Sequence, residues 1–215
     1  MPQVIAISGS PSPASKSEKI LALATGLLNQ RGVKTETFSV RDFPAEDLFH
    51  VRFDSPSVQR LVASIGKAKA VIIASPIYKA AYPGGLKALL DLLPQQTLAD
   101  KIVLPLATGG SSARLLAIDY AFKPVLSALG ATHMLSSIFI TDAQTQSVQD
   151  TAGNAGFQLA DESQQRLEKG IDQLINGIGL QWQIRADSVI ATESARHSQG
   201  RATHSHTAHP AAVAS

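Results

Sequence analysis

The sequence predicts an α/β protein, a doubly wound parallel sheet covered by helices on both faces. Three observations carry this. Five short apolar runs alternate with five helical patterns along the chain, the order that parallel strands joined by crossover helices require. The strongest of those runs lack polar alternation, as strands buried on both faces do. The unusual loops follow the first, third and fourth runs, whereas the loops after helices are bland. Right-handed crossovers leave few doubly wound topologies. In such sheets ligands bind beyond the carboxyl ends of the strands, where strand order reverses.

Each element has its own signature. Val4–Ile7 is a short apolar strand closed by Ser8-Gly9-Ser10. Ser17–Gln30 carries Ile20, Leu21, Leu23, Ala24, Leu27 and Leu28 at amphipathic helical spacing, and Gly32 ends it. Val33–Val40 alternates and reads as a less buried strand, and Arg41–Ser55 reads as irregular. Ser57–Ala68 is a helix with Val58, Leu61, Val62 and Ile65 inward. Ala70–Ser75 is the most apolar strand. Gly84–Leu93 is a helix stopped by Pro94, and Lys101–Ala107 is the fourth strand. Ser112–Leu129 is a long helix interrupted by Pro124, which predicts a kink or π-bulge near Asp119–Tyr120. Thr132–Ile140 is the fifth strand, Ala143–Phe157 a loop, and Asp161–Ile178 the last helix.

The 215 residues suit one large domain, placed at 1–180. From about 181 the chain turns rich in Ala, Ser, Thr and His and poor in large apolar residues, so 181–215 is expected to be a disordered tail. Four of the six histidines lie there, and a solvated tail without a metal site is the expected state. A net charge of +2 with scattered Lys and Arg gives no nucleic-acid footprint. The absence of cysteine excludes disulfides, thiolate nucleophiles and Cys-ligated metals, and fits a cytoplasmic location. The N-terminus lacks a signal-peptide pattern, and no apolar run approaches the roughly 20 residues that span a bilayer.

Three loops carry the chemistry. Ser8–Ser17 leads into a helix N-terminus, where unpaired N–H groups and the helix dipole favour a phosphate. Hydroxyls of Ser10, Ser15 and Ser17 add donors and Lys16 adds charge. The loop matches neither GxxxxGK[ST] nor GxGxxG, which disfavours ATP and Rossmann-type dinucleotides. On its own it is equally well a capped turn. Pro76–Lys87 gathers Tyr78, Tyr82, Gly84 and Gly85 in a chain only 5% aromatic. A planar heterocycle such as a flavin needs that kind of flat wall and close backbone approach, although half-buried aromatics alone would look the same. Thr108-Gly109-Gly110-Ser111-Ser112 admits a ring without Cβ obstruction, or is a strand-to-helix turn with a Ser cap. No Ser-His-Asp arrangement, GxSxG, HExxH or EF-hand pattern occurs.

Several blocks recur together and in order. Ser8-Gly-Ser-Pro11 with Ser15, Arg52-Phe-Asp-Ser-Pro56, Ala74-Ser-Pro-Ile-Tyr-Lys-Ala-Ala-Tyr82, Gly85-Leu-Lys-Ala-Leu-Leu-Asp-Leu-Leu-Pro94, Leu104-Pro-Leu-Ala-Thr-Gly-Gly110, Asp119-Tyr120 and Lys123-Pro-Val-Leu-Ser-Ala-Leu129 closely resemble the NADPH-dependent FMN reductases. Within them the resemblance is nearest to the reductase component of two-component alkanesulfonate monooxygenase systems. It covers roughly Val4 to Leu180.

The resemblance implies a flavodoxin-like sandwich with a five-stranded sheet in the order 2-1-3-4-5. It implies reduction of FMN by NADPH, with NADH possible, and delivery of reduced FMN to a monooxygenase serving sulfur acquisition from alkanesulfonates. It implies a homodimer or homotetramer with a π-helix at Tyr120 in the interface, and makes Tyr120 the candidate for controlling flavin release. The FMN phosphate would sit on Ser8, Ser10, Ser15, Lys16 and Ser17. The isoalloxazine would lie against Pro76, Ile77, Tyr78, Lys79, Ala80, Thr108, Gly109, Gly110 and Ser111. No metal is implied. One departure weakens the phosphate grip: the family usually carries Arg where this chain has Ser12. The same loops would serve a quinone or azo reductase with tightly held FMN. A flavodoxin-like electron carrier is disfavoured by the charge of +2, because such carriers are usually acidic.

Overall fold

The computed structural model describes residues 2–149 and 155–202. The chain divides into two compact units, Met1–Asn176 and Gly177–Ser215. In the first unit the strands are β1 (Val4–Ser8), β2 (Thr35–Ser39), β3 (Ala70–Pro76), β4 (Ile102–Gly109), β5 (His133–Met134) and β6 (Ile138–Thr141). They form a parallel sheet in the order β2-β1-β3-β4-β5, with β6 also pairing β4. Helices α1 (Lys16–Gln30), α2 (Ala45–Phe49), α3 (Pro56–Lys67), α4 (Gly84–Asp91), α5 (Lys123–Ala128) and α6 (Asp161–Ala202) connect or follow them. This is the predicted flavodoxin-like order.

The two central strands explain the sheet's depth. Every residue of β3 and β4 is buried, as their unbroken apolar runs demand for strands covered on both faces. Helix α1 covers β1 and β3 with Ile20, Leu21, Ala24 and Leu28. It ends in a Schellman turn: Val33 N–H donates to Leu28 O and Gly32 N–H to Asn29 O, with Gly32 at φ +76°. Gly9 lets β1 run out beneath α4. A Cβ there would lie 2.5 Å from Leu86 Cδ2 and 3.2 Å from Ala74 O, so a larger residue requires the buried Leu86 side chain to shift.

Four segments differ from the sequence reading. The stretch Arg41–Ser55 holds a 3-10 turn at Val40–Asp42 and the short helix α2. The predicted fifth strand is split into β5 and β6. The expected loop Ala143–Phe157 contains most of an antiparallel pair, β7 (Thr145–Gln149) with β8 (Ala155–Leu159). The last helix runs on to Ala202 instead of ending at Ile178. Residues 203–215, the end of the expected tail, lie outside the described residues.

The predicted long helix at Ser112–Leu129 is built in three pieces. A 3-10 turn (Ser112–Arg114) precedes a π-helical turn at Ile118–Phe122, and α5 follows. Pro124 explains the π-turn. It has no N–H for Tyr120 O, and its ring would clash with that carbonyl in an α-helix. Lys123 N–H instead reaches back five residues to Ile118 O.

Candidate functional site

Three strand ends meet in one cleft of about 410 Å³. From the loop after β1 come Ser12, Ser15 and Lys16. From the end of β3 and beyond come Pro76, Ile77 and Tyr78. From the end of β4 and beyond come Thr108, Gly109, Gly110 and Arg114, and Asp142 closes the rim from beyond β6. The cleft stands at the carboxyl ends of the strands, and β1 is paired on one side with β2 and on the other with β3, where chain order reverses.

The loop after β1 is held from both sides. Gly9 N–H donates to Ala74 O at 2.7 Å. Ser10 is fully buried; its hydroxyl donates to Ser12 O at 3.2 Å and accepts from Ser12 N–H at 3.1 Å. Ser15 and Ser17 hydroxyls lie 2.7 Å apart. No side chain caps α1, so the N–H groups of its first turn face the loop without an intrahelical acceptor. Ser8 Oγ is buried and has no hydrogen-bond partner among the described residues.

Arg41, which carries no site motif in the sequence, organises this loop. A Ser39 capping box turns the chain at the end of β2: Ser39 N–H donates to Asp42 Oδ2 at 2.7 Å, and Arg41 N–H to Ser39 Oγ at 3.3 Å. The turn delivers the Arg41 guanidinium to the loop, where Nη1 donates to Ser10 O at 3.2 Å and Ser12 O at 3.3 Å. Its fork also grips Glu18, with Nη1 at 2.8 Å from Oε2 and Nη2 at 2.6 Å from Oε1. The Glu18 hydrogen bond, more than any other influence, raises the Arg41 pKa above its ordinary value. The signal in the sequence was Ser39-x-x-Asp42, a short capping box directly after a strand.

The loop after β3 closes on itself. Tyr78 N–H donates to Ala81 O at 2.7 Å and Ala81 N–H to Tyr78 O at 3.0 Å, with Lys79 and Ala80 at φ +48° and +69°. Neither residue is glycine, so both sit in a region that costs about 1 kcal/mol each. Ile77 N–H donates to Thr108 O at 2.7 Å, and Arg114 Nη1 to Ile77 O at 3.2 Å, which ties this loop to the one after β4. Tyr78 is 46% exposed and walls the cleft. Tyr82 instead packs against Phe122, with ring centroids 5.5 Å apart, and its burial raises its pKa. At Gly109 a Cβ would lie 2.9 Å from Phe139 Cζ, so the close neighbour of this glycine is a side chain of β6.

Of the sequence-predicted residues, Ser15, Lys16, Pro76, Ile77, Tyr78, Thr108, Gly109 and Gly110 line the cleft. Ser8, Ser10 and Ser17 are buried beside it in the loop and the first turn of α1. Lys79, Ala80 and Ser111 are exposed and do not line it. Tyr120 is 80% exposed on the π-turn, outside the cleft, near the exposed Leu115 and Leu116 in sequence. Lys16 Nζ already lies 2.9 Å from Asp142 Oδ1 across the rim. Two lining cations, Lys16 and Arg114, thus stand against one lining carboxylate, Asp142, a balance that suits a phosphate.

Among the described residues no cluster of His, Cys, Asp or Glu could hold a metal, and no helix is long and apolar enough to cross a membrane. The family model described as NADPH-dependent FMN reductase matches residues 2–146. An FMN reductase (NADPH) from Pseudomonas putida is 50% identical over 169 residues, covering 79% of this chain and 84% of that protein. An FMN reductase (NADPH) from Escherichia coli is 48% identical over 142 residues, covering 66% and 74%. Among solved structures, the apo form of an NADH:FMN oxidoreductase superposes with a TM-score of 0.69 at 35% identity, covering 81% of this chain and 88% of that one.

Proposed function

The chain belongs to the NADPH-dependent FMN reductase family, and from that premise we propose that the cleft at the ends of β1, β3 and β4 is where it binds and releases FMN. It is an NAD(P)H-dependent FMN reductase. The observation that carries the placement is the convergence of all three singled-out loops on one cleft. The residues fit the flavin nucleotide. An uncapped helix start, the buried orphan hydroxyl of Ser8 and an excess of cations receive the phosphate, through Ser8, Ser10, Ser15, Lys16 and Ser17. Pro76, Ile77, Tyr78, Thr108, Gly109 and Gly110 flank the ring, with Gly110 keeping a Cβ out of its way, whereas Lys79, Ala80 and Ser111 stand outside the cleft lining.

FMN and NADPH, when bound, supply the hydride acceptor and donor. The protein's own part is placement. The loop after β1 fixes the phosphate end, Tyr78 walls the cleft, and the ends of β3 and β4 flank the ring. No side chain of the cleft is needed as an essential acid or base.

The phosphate grip is loose by construction. Ser12 stands where the family usually has Arg, and Lys16 is engaged by Asp142. A loose grip suits an enzyme that gives its reduced FMN to a monooxygenase, and the sequence resemblance points to alkanesulfonate desulfonation in the cytoplasm. The exposed π-turn carrying Tyr120 forms the contact between copies in a homodimer or homotetramer, and it governs whether FMN leaves. The reductase domain is 1–180.

The purified protein is expected to be colourless and to oxidise NADPH, with NADH slower, only when FMN is added. A stably yellow protein that reduces quinones or azo dyes would overturn the flavin-releasing reading. Tyr120→Ala should purify yellow with retained FMN; a colourless variant with normal turnover of free FMN would remove Tyr120 from this role.

A further inference from the structure

The edge of the sheet carries a second cavity, about 180 Å³, lined at the start of β6 by Ile138, whereas the FMN cleft rim has Asp142 just past the end of that strand. It is opened by a bulge. Val103 pairs Met134 and Leu106 pairs Ile138, so three steps along β4 face four along the edge. Pro105 lies within that stretch of β4 and has no N–H to give a ladder. The surplus residue of a bulge goes unpaired and re-aims its neighbours. Here the bulge brings Ser136 and Ser137 to the cavity wall, opposite Arg166, Lys169 and Gln173 of α6. Gly170 lets α6 approach this closely, since a Cβ there would lie 2.7 Å from Ile138 Cδ1.

Three features of the wall call for a negative ligand. Ser137 Oγ is sealed from solvent with no hydrogen-bond partner among the described residues. Arg166 and Lys169, both exposed and three apart on one helix face, hold like charges side by side at the cavity, which disfavours the arrangement only slightly. Neither has a carboxylate within ion-pair distance among the described residues, and the Arg166 bond found is Nη2 to Ser163 Oγ at 3.0 Å. The volume falls below the roughly 300–1,000 Å³ of nucleotide-sized and drug-sized pockets, so the ligand is small.

We infer that this cavity binds a small oxoanion of the sulfate or phosphate class, held by Arg166 and Lys169 with the Ser137 hydroxyl as a buried donor. The anion braces the bulge, and with it the strand β6, which ends at Thr141 just before Asp142 on the FMN cleft rim. None of the site's lining residues lines the FMN cleft. Its test is therefore run on the full chain with FMN saturating, so that sulfate at the phosphate loop is not what is read.

Sodium sulfate is titrated against sodium chloride at equal ionic strength while the thermal midpoint is followed. Sulfate tenfold above its Kd should raise Tm by about 3–6 °C over chloride. Arg166→Gln/Lys169→Gln should lose that sulfate-specific rise, keep at least the wild-type Tm in chloride, and keep NADPH oxidation. Ser137→Ala, which removes the orphan hydroxyl, should fold at least as stably in chloride and show a smaller sulfate rise. Adenosine 2′-monophosphate in place of sulfate should give no comparable rise. A sulfate rise that persists in Arg166→Gln/Lys169→Gln, no rise in the wild type, or a rise with the nucleotide alone would overturn the inference.

Discussion

Replacing Arg41 by alanine should weaken FMN binding although Arg41 does not line the cleft. The change removes two bonds to the carbonyls of Ser10 and Ser12 and the fork onto Glu18. The carbonyl bonds are long, at 3.2 and 3.3 Å, and contribute about 0.5 kcal/mol each. The Arg41–Glu18 pair is 31% exposed on both sides, and after solvent screening it contributes about 1 kcal/mol. The sum, about 2 kcal/mol, divides between the ordering of the phosphate loop and global stability. If most of it falls on the loop, the KM for FMN rises about tenfold, since 1.4 kcal/mol is a factor of ten. The kcat should change less than about twofold, because only the grip is lost and not the ring placement. Arg41→Lys should recover little, because an ammonium cannot fork onto Glu18 and reach two carbonyls together. The assay is NADPH oxidation at 340 nm with FMN varied, alongside urea unfolding of each variant. An unchanged KM for FMN in Arg41→Ala, with urea unfolding also unchanged, would refute the reasoning. A fall in kcat at constant KM would do the same.

Other expected outcomes follow from single contacts. Gly9→Ala places a Cβ 2.5 Å from Leu86 Cδ2 and 3.2 Å from Ala74 O; urea unfolding should show a loss of about 1–3 kcal/mol. Ala80→Gly relieves a left-handed residue at φ +69° and should stabilise the protein by up to about 1 kcal/mol in the same experiment. Burial holds the Tyr82 phenol neutral, with its folded pKa above the ordinary 10.0. The stability this represents is fully present below pH 10.0 and is lost as pH rises through the raised folded value. Unfolding midpoints should therefore fall more steeply above pH 10 in the wild type than in Tyr82→Phe, and the 295 nm titration of the variant should lack one late-ionising phenol.

The doubly wound class and the meeting of three loops were legible because both follow from strong local patterns: unbroken apolar runs and Ser/Gly/Pro/Tyr clusters at strand ends. The strand order itself came from the family resemblance, since those patterns leave several doubly wound topologies open. The π-turn at Ile118–Phe122 was legible through Pro124, whose missing N–H acts within one turn. What stayed hidden depends on pairing between distant segments. The split of the fifth strand is caused by a register shift opposite Pro105, in another strand. The β7–β8 pair is short, and β7 is polar except for Val148, so no apolar period marks it. Arg41 and Asp142 reach the site from beyond β2 and β6, and both are placed by capping boxes, at Ser39 and Thr141, that look like ordinary turn residues in the sequence.

The most direct measurement compares the KM for FMN with that for riboflavin, in the wild type and in Ser15→Ala/Lys16→Gln. Riboflavin lacks the phosphate and keeps the ring. Binding of the phosphate at the start of α1 predicts a lower KM for FMN than for riboflavin in the wild type. It also predicts that the double substitution raises only the FMN value, closing the gap. Equal KM values for the two flavins in the wild type, or a double variant that raises both alike, would contradict the placement of FMN in this cleft.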